Sequence, residues 1–233
     1  MEKIRVAVVS AVFGGVDTWK PFCNQVLPEW VEWAGLYRYD ESNTPVPLPN
    51  LPDRLKAKYF KTQCYLVNNW EQCRADVVVW IDGNIEVIRP DFVEQMITHI
   101  KSGSFFTIQK HHERNTIKEE IDFILSTDNP YLLIRYAKQP LAKEYDYYIA
   151  KGMPQDAPLY SCNVFAAYIN HPSTYALLDD WWRLCIEWSW FDQSAFSYLA
   201  SFLDYSHGIH PVDLGGVLHS PYFRLHSHDV WNK

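Results

Sequence analysis

The sequence predicts an α/β protein with a mostly parallel central sheet and helices on both faces, for two reasons. Compact apolar runs alternate along the chain with stretches of helical periodicity, the pattern of strands connected by helices. Several of these runs are apolar at almost every position, as expected of strands that are buried on both faces. With 233 residues, 48% of them hydrophobic, the chain is predicted to form one domain over residues 1–233.

The first quarter of the chain is predicted to hold two strands and a broken helix. An apolar run at 4–9 indicates a buried strand, and a glycine loop follows it at 10–15. Residues 18–34 are predicted to be helical, with breaks at two prolines. A short second strand is expected at 35–40, and the prolines within 43–52 predict an extended loop.

Helices and strands alternate through the middle of the chain. The run Val77–Ile81 is the clearest buried strand, because every residue in it is apolar. Apolar residues at i, i+3, i+4 and i+7 from Val93 predict a helix that opens at Pro90 and ends at Gly103. The other predictions here are a helix from Asp53 to about Val67, a strand at 104–109 and a helix behind the capping box Thr116-Ile-Lys-Glu119.

The last part of the chain is predicted to contain helices, a strand and an irregular tail. The helices are expected at 131–149, 173–187 and 193–203, and the strand at 162–169. Residues 207–233 are rich in histidine and aromatic residues and lack helical periodicity. Because ligands of open α/β sheets bind beyond the carboxyl ends of the strands, the loops after Ser10, Ile81 and Ile169 are predicted to form the functional edge.

Composition argues against several classes of protein. The net charge is −7 and no run of lysine or arginine occurs, which disfavours a nucleic acid as the main partner. The five cysteines form no C-x-x-C pair and no zinc-like spacing, so free thiols in a reducing compartment are expected. No apolar run approaches the roughly 20 residues needed to cross a membrane. The chain starts with a strand-like run rather than a signal peptide, and a cytoplasmic location is expected.

The triplet Asp82-Gly83-Asn84 directly follows a buried strand and is the leading candidate for a metal site. Mg²⁺ and Mn²⁺ prefer oxygen ligands, and such sites often use one or two carboxylates together with phosphates of the substrate. Gly83 allows the backbone to approach a ligand closely. The triplet is equally typical of a hairpin turn, so both interpretations stay open.

Two further segments carry polar side chains suited to chemistry. Asp192 and Gln193 stand where a helix is predicted to begin, so Asp192 is either a site residue or an N-cap. Histidine is a common metal ligand, although most histidines in a polar segment bind nothing. The tail histidines are His207, His210, His219, His226 and His228.

Basic residues occur in two places where an anion could bind. One helix face carries Arg54, Lys58 and Lys61, which either face a diphosphate or are simply solvated. His111 and Arg114 form the second group. A guanidinium is well suited to a phosphate or to the carboxylate of a sugar.

Six segments, taken in order, match the pattern of a known family. They are Lys58-Tyr-Phe-Lys61, Trp80-Ile-Asp-Gly-Asn-Ile85, His111-x-x-Arg114 followed by Glu119-Glu120, Tyr148 to Pro154, Asp180-Trp-Trp, and Ser189-x-x-Asp-Gln-Ser-x-Phe196. In order and spacing they resemble a glycosyltransferase-like family first catalogued as a domain of unknown function. Plant members of that family are linked to the synthesis of cell-wall and mucilage polysaccharides. The match spans residues 55–200 approximately.

A more distant likeness is to retaining glycosyltransferases of the glycogenin and galactosyltransferase type, which have the GT-A fold. Their Asp-x-Asp strand end, Asn-x-Gly-Val strand and Asp-Gln helix start are similar to Asp82-Gly-Asn84, Asn163-Val-Phe and Asp192-Gln193. Asn84 stands in place of the second aspartate. Their late metal-binding histidine corresponds to one of the tail histidines.

The resemblance implies transfer of a hexose or pentose from a nucleoside-diphosphate sugar, with a UDP-sugar favoured, to a hydroxyl acceptor such as a glycan. It implies Mn²⁺ or Mg²⁺ at the diphosphate, held mainly by Asp82. Asp192 would be the base for the acceptor hydroxyl if configuration is inverted, and would steady the oxocarbenium-like state if it is retained. It further implies that Asn84, His226 and His228 bind the metal, and that Gln193 acts beside Asp192 as a second catalytic residue. The nucleotide donor would be bound at its base or ribose by Val12, Phe13 and Asp40 and at its phosphates by Lys58 and Lys61. The other donor-binding residues would be His111, Arg114 and Asn163.

Two other functions share parts of this pattern. A sugar nucleotidyltransferase would use the same architecture and metal site, but the first βα turn has no glycine-rich phosphate loop with a Lys/Arg signature. A non-catalytic carbohydrate-binding protein would use the aromatic residues, which make up 16% of the chain, and would leave Asp82-Gly-Asn84 as a turn.

Overall fold

The computed structural model describes residues 2–48, 50–136 and 138–228, in which strands and helices alternate. The strands are β1 (Ile4–Ala11), β2 (Val31–Tyr39), β3 (Val77–Ile81), β4 (Ile85–Val87), β5 (Phe106–Lys110), β6 (Tyr160–Tyr168), β7 (Ile209–Val212) and β8 (Phe223–Leu225). The helices are α1 (Asp53–Thr62), α2 (Val67–Glu71), α3 (Phe92–Lys101), α4 (Ile117–Ser126), α5 (Pro130–Tyr136), α6 (Leu141–Ala150), α7 (Pro172–Glu187), α8 (Asp192–Ala200) and α9 (Leu203–Ser206). A 3₁₀ turn at Cys64–Leu66 joins α1 to α2.

Six strands form the central sheet in the order β2-β1-β3-β6-β5-β7. β1 pairs in parallel with β2 and with β3, and β5 pairs in parallel with β7. β6 is the exception, because it pairs antiparallel with both β3 and β5. All strands of this sheet except β6 therefore run in one direction, which confirms the predicted mostly parallel sheet.

The reversed direction of β6 corrects one prediction about the functional edge. β1 and β3 end at the same edge of the sheet, after Ala11 and Ile81, as expected. β6 reaches that edge with its first residues and ends at the opposite edge, where the Ile169 amide donates to the carbonyl oxygen of Asp76, 2.9 Å away. The loop after Ile169 is consequently not part of the functional edge, because the carboxyl end of an antiparallel strand lies at the opposite edge of the sheet from the carboxyl ends of its neighbours.

Residues of the central strands alternate between two cores, one on each face of the sheet. Ala7 and Val9 of β1 face the larger core, which α1, α4, α6, α7 and α8 close. Val6 and Val8 face the smaller core, closed by α3 and by the antiparallel pair β4–β8. Helices on both faces explain why β3 is apolar at every position, and they confirm that part of the predicted fold class.

The helix predicted at 18–34 is wrong. Residues of this segment lie in an irregular, extended stretch, and β2 already begins at Val31. Phe22 forms a bridge with Val87, and the amide of Val26 donates to the carbonyl oxygen of Pro90 at 2.7 Å. The two prolines leave too few uninterrupted residues for helical hydrogen bonds, so the amides find partners in other segments.

Three other predicted helices are each divided in the structure. The helix expected from Asp53 to Val67 ends at Thr62 and continues as the 3₁₀ turn and α2. The helix expected at 131–149 is α5 and α6, with Pro140 at the N-cap of α6 and Ala137 outside the described residues. The helix expected at 193–203 is α8 followed by α9. The predicted capping box is confirmed: the Thr116 hydroxyl accepts from the Glu119 amide.

The tail contributes two strands that the sequence does not predict. β7 pairs with β5 at the edge of the central sheet, and β8 pairs with β4. Each is four residues or shorter, too short for an alternation of polar and apolar residues to stand out. β8 nevertheless contributes to the site, because its pairing with β4 places the residues that follow β8 in the chain at the end of β3.

None of the helices within the described residues has the length and apolar character needed to cross a membrane. The five cysteines are free, as expected. Cys64, Cys162 and Cys185 are buried, and burial raises the pKa of each of these thiols. These three cysteines are therefore unreactive packing residues in the folded protein.

Candidate functional site

A pocket opens at the carboxyl ends of β1 and β3, the position at which α/β sheets typically bind ligands. It contains about 810 Å³ of empty space, part of which is open to solvent. We call it the sheet-edge pocket. The residues that line it include Val12, Phe13, Val16, Asp17, Asp53, Arg54, Lys58, Lys61, Asp82, Gly83, Asn84, Arg135, Trp190 and His228.

Two lysines and two aspartates form a charge network at this pocket. The Nζ atoms of Lys58 and Lys61 lie 2.5 and 2.7 Å from Oδ2 of Asp192. Nζ of Lys61 also lies 3.0 Å from Oδ1 of Asp82. Only 2% of the Lys61 side chain and 7% of the Asp192 side chain are exposed, so these ion pairs are shielded from water. The network ties α1, the end of β3 and the start of α8 together.

The surroundings of Asp192 keep its carboxylate ionised. Burial alone would raise the pKa of Asp192, but Lys58 and Lys61 outweigh it and hold that pKa well below its usual range. Burial also opposes the charge of Lys61, yet Asp192 and Asp82 raise its pKa. A carboxylate with so low a pKa is a weak base. The arrangement thus suits Asp192 to holding two lysines in place better than to accepting a proton.

Asp192 is not a helix cap. It is the first residue of α8, and the N-cap position belongs to Phe191, with no capping bond from a side chain. Indole Nε1 of Trp181 instead donates to the backbone carbonyl of Asp192 at 2.9 Å, which fixes the start of α8. The N-cap interpretation is therefore wrong, and the carboxylate serves the charge network.

The triplet Asp82-Gly83-Asn84 is both a turn and part of the pocket. The Ile85 amide donates to the carbonyl oxygen of Asp82 at 3.0 Å, which closes the turn between β3 and β4. Oδ1 of Asp82 accepts from Lys61 and from indole Nε1 of Trp80, the latter at 2.7 Å. The side chain of Asp82 is thereby held at the rim of the pocket, so the two interpretations of the triplet are compatible.

Asp82 and Asn84 each keep one side-chain oxygen available for a cation. Oδ2 of Asp82 has no hydrogen-bond partner among the described residues. Nδ2 of Asn84 donates to the carbonyl oxygen of His226 at 2.9 Å, while Oδ1 of Asn84 bonds to nothing in the described part of the chain. Within residues 2–48, 50–136 and 138–228, no three acidic, histidine or cysteine side chains converge as a metal site. The pair fits a hard cation that takes its other ligands from phosphates and water.

The two tail histidines proposed as metal ligands already have acidic partners. Nε2 of His226 lies 2.8 Å from Oε2 of Glu86, and His226 is not part of the pocket lining. Nδ1 of His228 lies 2.7 Å from Oδ2 of Asp17, and both residues line the pocket. His228 is therefore placed to contact a ligand, and His226 is placed to hold the tail against the end of β3 through its backbone.

Two of the predicted site residues carry a buried side-chain oxygen that has no partner among the described residues. Oδ1 of Asn163 and Oε1 of Gln193 form no hydrogen bond with the described residues. Asn163 is close to the pocket, because its carbonyl oxygen accepts from the Asp82 amide at 2.8 Å. Buried polar atoms are almost always paired, so a ligand group or an ordered water is expected at these two oxygens.

The remaining predicted site residues lie outside the pocket lining. Asp40 lines an open depression that shares Val12 and Asp17 with the pocket, and its carboxylate accepts from the Ser42 amide and hydroxyl. Nδ1 of His111 accepts from the Arg114 amide at 3.1 Å, and Arg114 itself is paired with Glu120. Because these polar groups are already satisfied, His111 and Arg114 stabilise the start of α4.

Arg135 and Trp190 are among the pocket residues that were not singled out in the sequence. Arg135 comes from α5 and Trp190 from the loop before α8. Arg135 lies within an apolar stretch, and Trp190 is one of ten tryptophans, so neither carries a distinguishing motif. The sequence did offer one signal for Arg135: it is the single cation of the segment Leu132-Leu-Ile-Arg-Tyr136. A charged residue among apolar ones requires a polar or charged partner.

Gly83 is tightly enclosed, and this leads to a stability prediction. A Cβ atom at Gly83 would lie 2.1 Å from Cγ2 of Val12 and 3.4 Å from the carbonyl oxygen of Ala11. Val12 is β-branched and buried, so it has no alternative position to adopt. Gly83→Ala is expected to lower the free energy of unfolding by roughly 1–3 kcal/mol, the usual cost of overpacking, as measured by urea unfolding. Adding Val12→Ala should recover most of the loss, whereas equal stability of Gly83→Ala and wild type would contradict the prediction.

No protein-family model matches the chain and no curated protein matches it, so the resemblance to a particular family stays a prediction. Similar folds occur among solved structures at low identity. One is the apo form of mouse xyloside xylosyltransferase 1, with 7% identity over 90% of this chain and 86% of that chain and a TM-score of 0.48. Another is a glycosyltransferase involved in the glycosylation of the major capsid of PBCV-1, with 9% identity over 89% of this chain and 81% of that chain and a TM-score of 0.44.

Proposed function

We propose that the protein is a glycosyltransferase that takes a nucleoside-diphosphate sugar and transfers the sugar to a hydroxyl acceptor. The observation that carries this proposal is the charge of the sheet-edge pocket. In a chain of net charge −7, four cationic side chains meet at one pocket beyond β1 and β3, beside the strand-end carboxylate of Asp82. They are Arg54, Lys58, Lys61 and Arg135. A concentration of cations at this edge of an acidic protein favours a polyanionic ligand such as a diphosphate.

The walls of the pocket suit the rest of such a donor. Val12 and Phe13 present apolar surface at the end of β1, where a nucleobase would pack. The open depression at Asp40 adjoins this surface, so its carboxylate would contact the ribose or the base. Oδ1 of Asn163 and Oε1 of Gln193 are buried and lie outside the pocket lining, so they would act on the donor sugar through ordered water.

Asp82 and Asn84 would hold one divalent cation, Mn²⁺ or Mg²⁺, together with the diphosphate. When bound, the cation neutralises negative charge on the leaving diphosphate. The two residues contribute through Oδ2 of Asp82 and Oδ1 of Asn84, the atoms that have no partner among the described residues. Lys61 meanwhile keeps the carboxylate of Asp82 oriented through its bond to Oδ1.

We infer from the low pKa of Asp192 that this residue has a supporting role in the reaction. It holds Lys58 and Lys61 at the pocket, where their positive charge stabilises the leaving diphosphate. The pocket lining does not include Asp192, which agrees with a residue that acts through its lysine partners. The acceptor hydroxyl would then lose its proton to another group, for example an oxygen of the leaving diphosphate.

The test is release of nucleotide from a panel of UDP-, GDP-, CMP- and dTDP-sugars, incubated with Mn²⁺ or Mg²⁺ and with simple glycan acceptors. We expect turnover of one donor, loss of it with a chelator, and a decrease of about 100-fold or more in Asp82→Ala. Asp122→Ala, which removes an exposed carboxylate from α4, is the matched control and should keep full activity.

Other outcomes of this assay would contradict the proposal. Sugar binding without turnover of any donor, independent of added metal, would identify a carbohydrate-binding protein. Formation of a nucleotide sugar from a sugar phosphate and a nucleoside triphosphate would identify a nucleotidyltransferase. Turnover that is equal in Asp82→Ala and wild type would place the reaction outside the sheet-edge pocket.

A further inference from the structure

The four cations of the sheet-edge pocket fall into two groups. Lys58 and Lys61 are each within 2.7 Å of Asp192. Arg54 and Arg135 have no carboxylate within ion-pair distance among the described residues, although both line the pocket. Each lysine therefore has a carboxylate partner within the protein, whereas neither arginine has one among the described residues.

The acids that line the pocket are also already paired, so none is available to the arginines. Asp17 bonds to His228 at 2.7 Å, Asp53 bonds to Lys56 at 2.7 Å, and Asp82 bonds to Lys61 at 3.0 Å. Every acid that lines the described part of the pocket thus has another partner, and neither arginine has an acidic one within ion-pair distance. Two arginines without an ion-pair partner among the described residues, in one partly buried pocket, favour an anionic ligand.

The two guanidinium groups lie within electrostatic reach of each other. Burial and then the charge of Arg135 lower the pKa of Arg54. The groups come from different helices, Arg54 from α1 and Arg135 from α5, and both line the pocket. Like charges held close together are unfavourable unless an anion lies between them.

Arg135 is held in place by aromatic side chains and not by an acid. It donates to the hydroxyl of Tyr131, and its guanidinium carbon lies 5.5 Å from the Tyr131 ring centre and 5.3 Å from that of Tyr136. These contacts orient the planar group. Burial opposes its charge, while the charge of Asp192 favours the guanidinium from beyond ion-pair distance and raises its pKa. A guanidinium in this setting is suited to two parallel hydrogen bonds with a phosphate.

We propose that Arg54 and Arg135 form the subsite that binds the diphosphate of the ligand, with one phosphate at each guanidinium. The identity of the ligand as a sugar nucleotide rests on the proposed function, whereas the diphosphate subsite rests on the two arginines that have no ion-pair partner among the described residues. Lys58 and Lys61 then remain in their ion pairs with the aspartates, and the arginines make the direct contacts with the diphosphate.

The experiment is calorimetric titration of the full chain with UDP, inorganic pyrophosphate and uridine. Each of Arg54→Gln and Arg135→Gln is expected to weaken binding of UDP and pyrophosphate by roughly 10- to 100-fold, the range for losing a charged hydrogen bond. Binding of uridine should stay unchanged, which also shows that each variant is folded. Arg183→Gln, an exposed arginine on α7, is the matched control.

Arg135→Lys tests the geometry as well as the charge. It keeps the charge of the side chain but loses the planar fork, so we expect it to recover only part of the affinity for pyrophosphate. Thermal melting of each variant shows whether the fold is kept. Full recovery by lysine would overturn the paired, bidentate contact.

Four results separate this proposal from its rivals. Unchanged binding of pyrophosphate and UDP in both glutamine variants would overturn it, as would absence of binding of both ligands to the wild type. UDP-glucuronate serves as a further ligand in the same titration. If the variants bind UDP-glucuronate more weakly but bind UDP and pyrophosphate as the wild type does, the arginines contact a sugar carboxylate and the proposal is overturned. Arginine-dependent binding of pyrophosphate without turnover of any sugar nucleotide would support the subsite and contradict the transferase.

Discussion

Replacing Asp192 with asparagine is expected to lower the free energy of unfolding by roughly 3–5 kcal/mol, the usual cost of removing one partner from a buried ion pair. The substitution leaves the ammonium groups of Lys58 and Lys61 with Asp82 as the remaining carboxylate of the network. Urea unfolding at pH 7 measures the effect. The folded-state pKa of Asp192 is lowered, so its contribution is complete above the pKa of the unfolded chain and is lost as the pH falls through the folded-state value.

A double-mutant cycle with Lys61→Met tests whether the network acts as a unit. Lys61→Met alone leaves Asp192 with Lys58, and we expect the double variant to be more stable than the sum of the two single losses implies. Asp204→Asn, on the exposed surface of α9, should change stability by less than about 0.5 kcal/mol. Strict additivity in the cycle would show that Lys61 and Asp192 do not interact in solution.

Glu144 is expected to make stability fall as the pH rises from acid to slightly alkaline. Its side chain on α6 is fully buried, accepting from the Tyr148 hydroxyl at 2.8 Å and from the Ser189 hydroxyl. Burial raises its pKa to about 7, and these hydrogen bonds offset only part of that effect. Because the folded-state pKa exceeds the ordinary value of 4.5, the stabilising contribution is complete below that value and is lost as the pH rises through about 7.

Glu144→Gln removes this titration while keeping both hydrogen-bond partners. Between pH 5 and pH 8 the wild type should lose roughly 2–3 kcal/mol more stability than the variant, as measured by urea unfolding across that range. Glu187→Gln removes an exposed carboxylate from α7 and should follow the wild-type profile. Parallel profiles for wild type and Glu144→Gln would contradict a raised pKa at this position.

The strands buried on both faces were the most predictable part of the fold. Val77–Ile81 is predicted with the same bounds as β3, because five apolar residues between polar ones have few alternatives. The capping box of α4 is local chemistry and could also be predicted. The direction of β6 could not be predicted, because the pairing partner of a strand depends on residues far away in the sequence. Since β6 is antiparallel to its neighbours, the loop after Ile169 was predicted at the wrong edge of the sheet.

The candidate site was predictable where its residues follow a strong strand. Asp82, Asn84, Val12 and Phe13 could be anticipated at the pocket because they come directly after β3 and β1. Arg135 could not, because α5 is brought to the pocket by tertiary packing and has no motif of its own. The lysines of α1 were predicted at the phosphates, but the sequence did not reveal that Asp192, more than 130 residues away, neutralises them.

His228 and Asp17, which meet at the pocket wall, are 211 residues apart in the chain. At a translation rate of about 5–20 residues per second, roughly 10–40 seconds separate their synthesis on the ribosome. During that interval β1, β2 and β3 can pair, but the wall that β8 brings to Asn84 and Asp17 is missing. A ribosome-bound chain that stops before this segment should therefore form much of its sheet and still fail to retain a ligand. Ligand binding would therefore appear late and abruptly as the chain grows. Measuring ligand binding on ribosome-stalled chains of increasing length would follow this.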